Sequence, residues 1–148
     1  MLLVRIKERL PLRIAEWLAA LAMIGIGLYL VVWPGAFTRA GLSGFAAIAP
    51  VGTWIAASLI LGALRIFALV LNGHMPHVSA PIRMVGAILG VGLFASVAAG
   101  YALAQTENGP PLGVIFALAF VAGDLFSSAR TAWETHDATR RLWTGFSR

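Results

Sequence analysis

Apolar residues fall along this chain in four blocks, near 14–33, 51–71, 82–104 and 111–129, rather than alternating with polar ones. Each block approaches the roughly 20 residues that a helix needs to cross a hydrocarbon core about 30 Å thick. Backbone N–H and C=O groups find no water in that core, so segments of this length and composition must be helical. The pattern predicts an all-α polytopic membrane protein, with four transmembrane helices in a bundle. The punctuation between the blocks agrees. Trp33-Pro34-Gly35 closes the first and Asn72-Gly73 the second, both strong helix-ending or turn signals. Residues 35–50, GAFTRAGLSGFAAIAP, are apolar but glycine-rich and bounded by Pro34 and Pro50. They read as a short half-buried segment at the outer interface, not as a further span. HMPHVSAP reads as a loop, and QTENGPP as a tight outer turn whose Pro110 and Pro111 suit a helix start. The fourth block is the shortest and reaches spanning length only with flanking residues such as Pro111 and 127–129.

The flanks are basic. Residues 1–13, MLLVRIKERLPLR, hold Arg5, Lys7, Arg9 and Arg13 against Glu8, with Leu3, Ile6 and Leu10 at helical spacing. This suits an amphipathic segment on the membrane surface. A basic start before an apolar run also marks signal peptides, but this run is longer than an h-region and no small-residue cleavage site closes it. An uncleaved first span is expected. Residues 130–148 set Trp133, Leu142, Trp143 and Phe146 among Arg130, Arg140, Arg141 and Arg148. That mixture suits an interfacial helix with its arginines on lipid headgroups. With the N-terminus inside, nine Lys and Arg lie near inner span ends and only Arg39 lies outside. Such a bias sets both termini in the cytoplasm and argues against dual topology.

Composition sharpens this. Of 148 residues, 59% are hydrophobic and 11% charged, with mean hydropathy +0.86; a soluble domain carries roughly 25% charged residues. Outside the four blocks too little chain remains for a second core. The net charge of +5 and pI near 11.1 would suggest nucleic acid in a soluble protein. Here the basic residues sit at membrane edges, so the expected partners are the lipid bilayer and its anionic headgroups, with no nucleic acid. The chain has no cysteine, which removes disulfides, thiol redox chemistry and cysteine metal sites.

Four ionisable residues fall within the blocks, one on each: Glu16, Arg65, Arg83 and Asp124. A charge at the bilayer centre costs about 2.5–3.5 kcal/mol on insertion scales, so it needs a partner or a wet cavity. At about 1.5 Å per residue, Arg65 lies roughly 10 Å above the inner edge and Asp124 roughly 9 Å. Matched depth and opposite sign predict an Arg65–Asp124 salt bridge between spans 2 and 4. Glu16 and Arg83, nearer the edge, form a second pair or extend the network. Helix dipoles favour Glu16 and Arg65 but oppose Arg83 and Asp124, so Asp124 needs another reason to be there. Locking the bundle is the first reading of this cluster; a proton path and a subunit contact are the others.

Small residues mark packing faces: Gly25 and Gly27 on span 1, and Gly86 with Gly90 in a G-x-x-x-G on span 3. Trp17, Trp33 and Trp54 fall where an aromatic belt is expected, and Phe67, Phe94, Phe116, Phe120 and Phe126 read as lipid-facing or bundle-filling bulk. Thr53, Ser58 and Ser96 are expected to bond back to their own helices. His74 and His77 in HMPH have a metal-compatible spacing but lack further ligands in their loop, so no metal site is expected. No histidine lies mid-span to hold haem, and no phosphate loop, nucleophile elbow or catalytic carboxylate pair is present. The reading is non-enzymatic, without cofactors.

Several short motifs together resemble small multi-span proteins of phages and prophages, sometimes labelled holin-like. They are Leu12-Arg13-Ile14-Ala15-Glu16-Trp17-Leu18, the Gly-x-Gly of span 1, Leu64-Arg65 with Asn72-Gly73, Pro81-Ile82-Arg83, and Asp124-Leu125 with Ser128. The resemblance covers most of the chain and implies a bacterial inner membrane and a homo-oligomer, with a pore or lysis role as one form of it. Small multidrug-type exporters also have four spans and a glutamate in the first. In them that glutamate lies deep, whereas Glu16 lies near the edge, and their pattern lacks Arg65 and Asp124. A proton-coupled transporter of that type and an accessory subunit of a larger membrane complex are the alternatives.

Overall fold

The computed structural model describes residues 13–71, 76–104 and 112–145, with side chains as far as Trp133 but not for residues 76–78. Among the described residues five α-helices follow one another: α1 (Ile14–Val32), α2 (Ser43–Ile48), α3 (Val51–Leu71), α4 (Pro76–Leu103) and α5 (Gly113–Gly145). Among the described residues there is no strand. Stretches of α1, α3, α4 and α5 are each long and apolar enough to cross a membrane.

The helices form a ring of neighbours. α1 packs on α3, α3 on α4, and α4 on α5, while α5 meets α1 over a shorter stretch. Close approach of α1 and α3 depends on glycine at two points. A Cβ on Gly27 would lie 2.6 Å from the Leu59 side chain, and one on Gly62 would lie 2.8 Å from Ile24 and 3.1 Å from the Ala20 carbonyl. These contacts join α1 to α3 along the seam where small residues let backbones approach. The core is correspondingly fine-grained, with Ala19, Ala20, Met23, Ala68 and Ala87 buried, and Phe94 stacked on Phe120 with centroids 4.7 Å apart.

Large apolar side chains point outward instead: Ile60, Phe116 and Phe126 are 66%, 67% and 71% exposed. An apolar surface this continuous is a liability in water and ordinary in lipid.

α1 stops at Trp33, whose N–H bonds the Tyr29 carbonyl, and Pro34 opens two 3₁₀ turns (Pro34–Thr38 and Ala40–Leu42). With α2 these fold back over one end of the bundle, and Gly44 brings α2 against the α4 backbone near Gly100 and Ala104. Residues 35–50 therefore make the short half-buried segment expected of them.

Three features differ from expectation. α4 starts at Pro76, six residues before the expected span, so HMPHVSAP is partly helical. Proline is accepted in a first helical turn because its missing N–H is unpaired there anyway, and Pro81 then lies inside the helix. α5 runs for 33 residues without a break, joining the fourth span to the basic tail; at about 1.5 Å per residue it is roughly 50 Å long. Trp54 is not on the surface as a belt residue. It is 3% exposed, donates its indole N–H to the Phe45 carbonyl at 3.3 Å, and packs edge-on against Phe37 and Phe45. A hydrogen-bonded indole can be buried as well as any apolar side chain. Trp33 is exposed, and Trp17 lies between the extremes. Phe67, Phe116 and Phe126 face outward, whereas Phe94 fills the bundle.

Arg5, Lys7, Arg9, Asn72, Gly73, His74 and residues 105–111 lie outside the described residues, as do the side chains of His77, Arg140, Arg141 and Trp143.

Candidate functional site

One face of each long helix is polar near the same end of the bundle. On α3 the buried positions Ser58, Gly62, Arg65 and Leu69 recur at spacings of three and four, the period of one helix face. On α5 the corresponding positions are Asp124, Ser127 and Thr131, and on α4 they are Ser79, Arg83, Gly86 and Gly90. α1 contributes Glu16 from its first turn, where the helix dipole favours a carboxylate. Folding turns these faces inward and brings all four predicted charges together in two pairs.

Arg65 and Asp124 meet in a bidentate pair. Nη1 donates to Oδ2 and Nη2 to Oδ1, both at 2.6 Å. The residues are 5% and 2% exposed, so the pair is effectively out of solvent. Arg83 and Glu16 form the second pair, with Nε to Oε2 at 2.9 Å and Nη2 to Oε1 at 2.7 Å. Arg83 Nη2 also donates to the Thr131 hydroxyl at 3.3 Å, and Thr131 in turn donates to the Ser127 carbonyl at 2.8 Å. Two fork-to-fork contacts fix orientation as well as charge, which a lysine ammonium could not do.

The geometry of the connections is the informative part. Helices that neighbour each other in the ring pack mainly through backbone and apolar side chains, the Arg83–Thr131 hydrogen bond between α4 and α5 apart. The two ion pairs join the helices that do not: Arg65–Asp124 ties α3 to α5, and Glu16–Arg83 ties α1 to α4. Each pair spans a diagonal of the bundle. A gap of only about 10 Å³, lined by Glu16, Arg65, Leu69, Arg83 and Ser127, lies between them, on the order of a single water. The cluster holds two positive and two negative side chains, so it is neutral as a unit.

Glycine makes the α3–α5 diagonal possible. A Cβ on Gly90 would overlap the Asp124 carboxylate and lie 2.5 Å from Arg65 Nη1, and one on Gly86 would lie 3.2 Å from Arg65 Cγ. The G-x-x-x-G face of α4 is thus the slot through which α3 and α5 reach each other. Of the four small residues singled out from the sequence, Gly27, Gly86 and Gly90 pack within the chain, whereas a Cβ on Gly25 would meet nothing within 4 Å. Ser96 bonds back to the Gly92 carbonyl at 2.9 Å as expected, Thr53 is exposed, and the Ser58 hydroxyl is fully buried without such a bond. Sequence reasoning missed Thr131 and Ser127. Thr131 is seven residues after Asp124, on the same helix face, and that register was the available signal. Arg13 and Arg130, expected at lipid headgroups, are both partly buried at this end of the bundle. Among the described residues, no three His, Asp or Glu side chains converge as a metal site would require.

Fold and site define an all-helical bundle with four helices long and apolar enough to cross a membrane, cross-braced by two buried ion pairs. Comparison with protein-family models, curated proteins and solved structures gave no match to this chain.

Proposed function

We propose that this is a non-enzymatic, multi-pass protein of a bacterial inner membrane, with both termini cytoplasmic, that acts by associating with copies of itself. One observation carries the reading. Between Leu89 and Leu103 the exposed positions of α4 are all small, Gly92, Ala95, Ala99 and Ala102, with Val91, Ser96 and Tyr101 half-buried beside them. On the other long helices exposed small residues such as Ala56, Ala63, Ala119 and Ala122 are interspersed with large ones, Ile60 and Phe67 on α3 and Phe116, Leu118 and Leu125 on α5. A flat strip of small residues is how lipid-embedded helices come close enough for dispersion and weak hydrogen bonds to hold them.

The charges support the same reading by what they leave over. Glu16, Arg65, Arg83 and Asp124 are spent within one protomer, so assembly falls to the apolar faces. Their mutual neutralisation favours a brace over a proton path. A holin-like pore or lysis role is the form of assembly that the motif resemblance suggests; a small proton-coupled transporter and an accessory subunit are the competing outcomes.

The test is the mass of the purified protein in nanodiscs, alone and as the Ala95→Leu/Ala99→Leu variant. A homo-oligomer that falls to monomer in the variant supports self-association through α4. A monomer in both samples, or one fixed foreign partner, sinks it and favours the transporter or the subunit.

A further inference from the structure

The end of the bundle away from the ion pairs holds a half-open cavity of about 310 Å³. That is within the roughly 300–1,000 Å³ of small-molecule sites. Its wall is aromatic: Tyr29, Phe37, Phe45, Trp54 and Tyr101 line it, with Gly25 at one side. The rings brace one another. Phe45 packs edge-on against Tyr101 at 4.9 Å and against Trp54 at 5.2 Å, and stacks with Phe37 at 5.6 Å. Such contacts make the cavity a preformed shape rather than a gap awaiting collapse.

One cation stands at its rim. Arg39 donates through Nη1 to the Tyr29 hydroxyl at 3.3 Å while its side chain stays exposed. Phe37 and Leu42, close to Arg39 in the chain, both line the cavity. In the sequence, Arg39 and Glu107 are the two formally charged residues on the segments expected at this end.

We infer that this cavity binds one anionic phospholipid, with an acyl tail among the aromatic rings and the phosphate on Arg39. The argument is complementarity of both halves. An apolar cavity facing a bilayer is surrounded by acyl chains, and filling it restores the contacts its lining lacks. A guanidinium held by a tyrosine at the mouth of such a cavity matches a phosphate, which it can bind through two parallel N–H bonds. The inference rests on the bilayer reading but not on self-association.

The experiment is native mass spectrometry of the delipidated protein, first shown to reconstitute into liposomes that resist carbonate extraction. The probes are phosphatidylglycerol, phosphatidylcholine with the same tails, and glycerol 3-phosphate as a headgroup without tails. Wild type should retain one phosphatidylglycerol at least tenfold more tightly than phosphatidylcholine, and no glycerol 3-phosphate. Arg39→Gln should abolish the preference between the two lipids. Gly25→Leu, whose Cβ position is open, should fill the cavity and remove binding of both. Should that variant fail to fold, Tyr29→Phe deletes only the hydroxyl that holds Arg39 and should cut the preference severalfold. Equal retention of the two lipids, a preference unchanged in Arg39→Gln, or a folded Gly25→Leu that binds as wild type would overturn the proposal. So would retention of an uncharged molecule that ignores Arg39. Failure to reconstitute would instead count against the bilayer reading itself.

Discussion

The pairing of Arg65 with Asp124 shows how far single residues can be read without a structure. Two charges of opposite sign, each about six residues from the end of an apolar block, sit at one depth. A bilayer leaves them little alternative to each other. The bidentate geometry and the near-complete burial were not legible, because rotation of each helix about its axis depends on its neighbours. Nor was Thr131, a residue of a type that usually bonds within its own helix and here does so while also receiving Arg83. The consequence is testable. Asp124→Asn leaves Arg65 charged, buried and without its partner carboxylate, and breaking such a pair costs about 3–5 kcal/mol. Replacing both partners, as Arg65→Met/Asp124→Leu, should recover most of that loss, since apolar pairs often do as well as buried ionic ones. Reversible unfolding in bicelles should show a large drop for the single variant and a small one for the double. Equal losses would mean that the pair itself, not the stranded charge, sets stability.

At the scale of elements, sequence located the helices well and their edges less well. Long apolar blocks fix where helices must be, but the start of α4 and the end of α5 lie outside those blocks, where local propensity decides, and both extend past the expected boundary. α4 shows what small-residue patterns conceal. Its G-x-x-x-G was legible as a packing face, but not which face of the helix meets the protomer's own interior. The inward glycines Gly86 and Gly90 admit the α3–α5 ion pair, while Gly92, two residues on, faces outward with nothing within 4 Å of a Cβ. One methyl group therefore separates the two roles. Gly90→Ala should destabilise the protomer by about 1–3 kcal/mol, the usual cost of overpacking. Gly92→Ala should leave protomer stability unchanged, so that any effect appears in oligomeric mass alone. Matching unfolding curves for the two variants would contradict the slot described for α4.

At the scale of the whole molecule, the bundle divides into two unlike ends, one braced by ion pairs and one by aromatic rings. Both diagonals are tied by charge at the first end, so the helices cannot splay there without exposing an ion. The other end relies on ring packing and on the fold-back of α2, and it retains a cavity. The charge bias along the chain predicts a direction for this asymmetry: under the proposed reading the ion-paired end, to which the basic flanks attach, lies on the cytoplasmic side. The chain has no cysteine, so a single introduced thiol reports its own side of the membrane. Ser147→Cys should react with a membrane-impermeant maleimide only after permeabilisation, whereas Thr38→Cys should react in intact spheroplasts. The bias of nine to one in Lys and Arg also predicts that the orientation is robust. Adding two lysines within residues 105–111 would change it only to nine against three, leaving the labelling pattern as it was. Reaction of Ser147→Cys in intact spheroplasts would reverse the orientation, and it would place the aromatic cavity beside the cytoplasmic leaflet. Labelling at both sites in one population would mean dual topology, and the charge count would then have failed as a guide to this bundle.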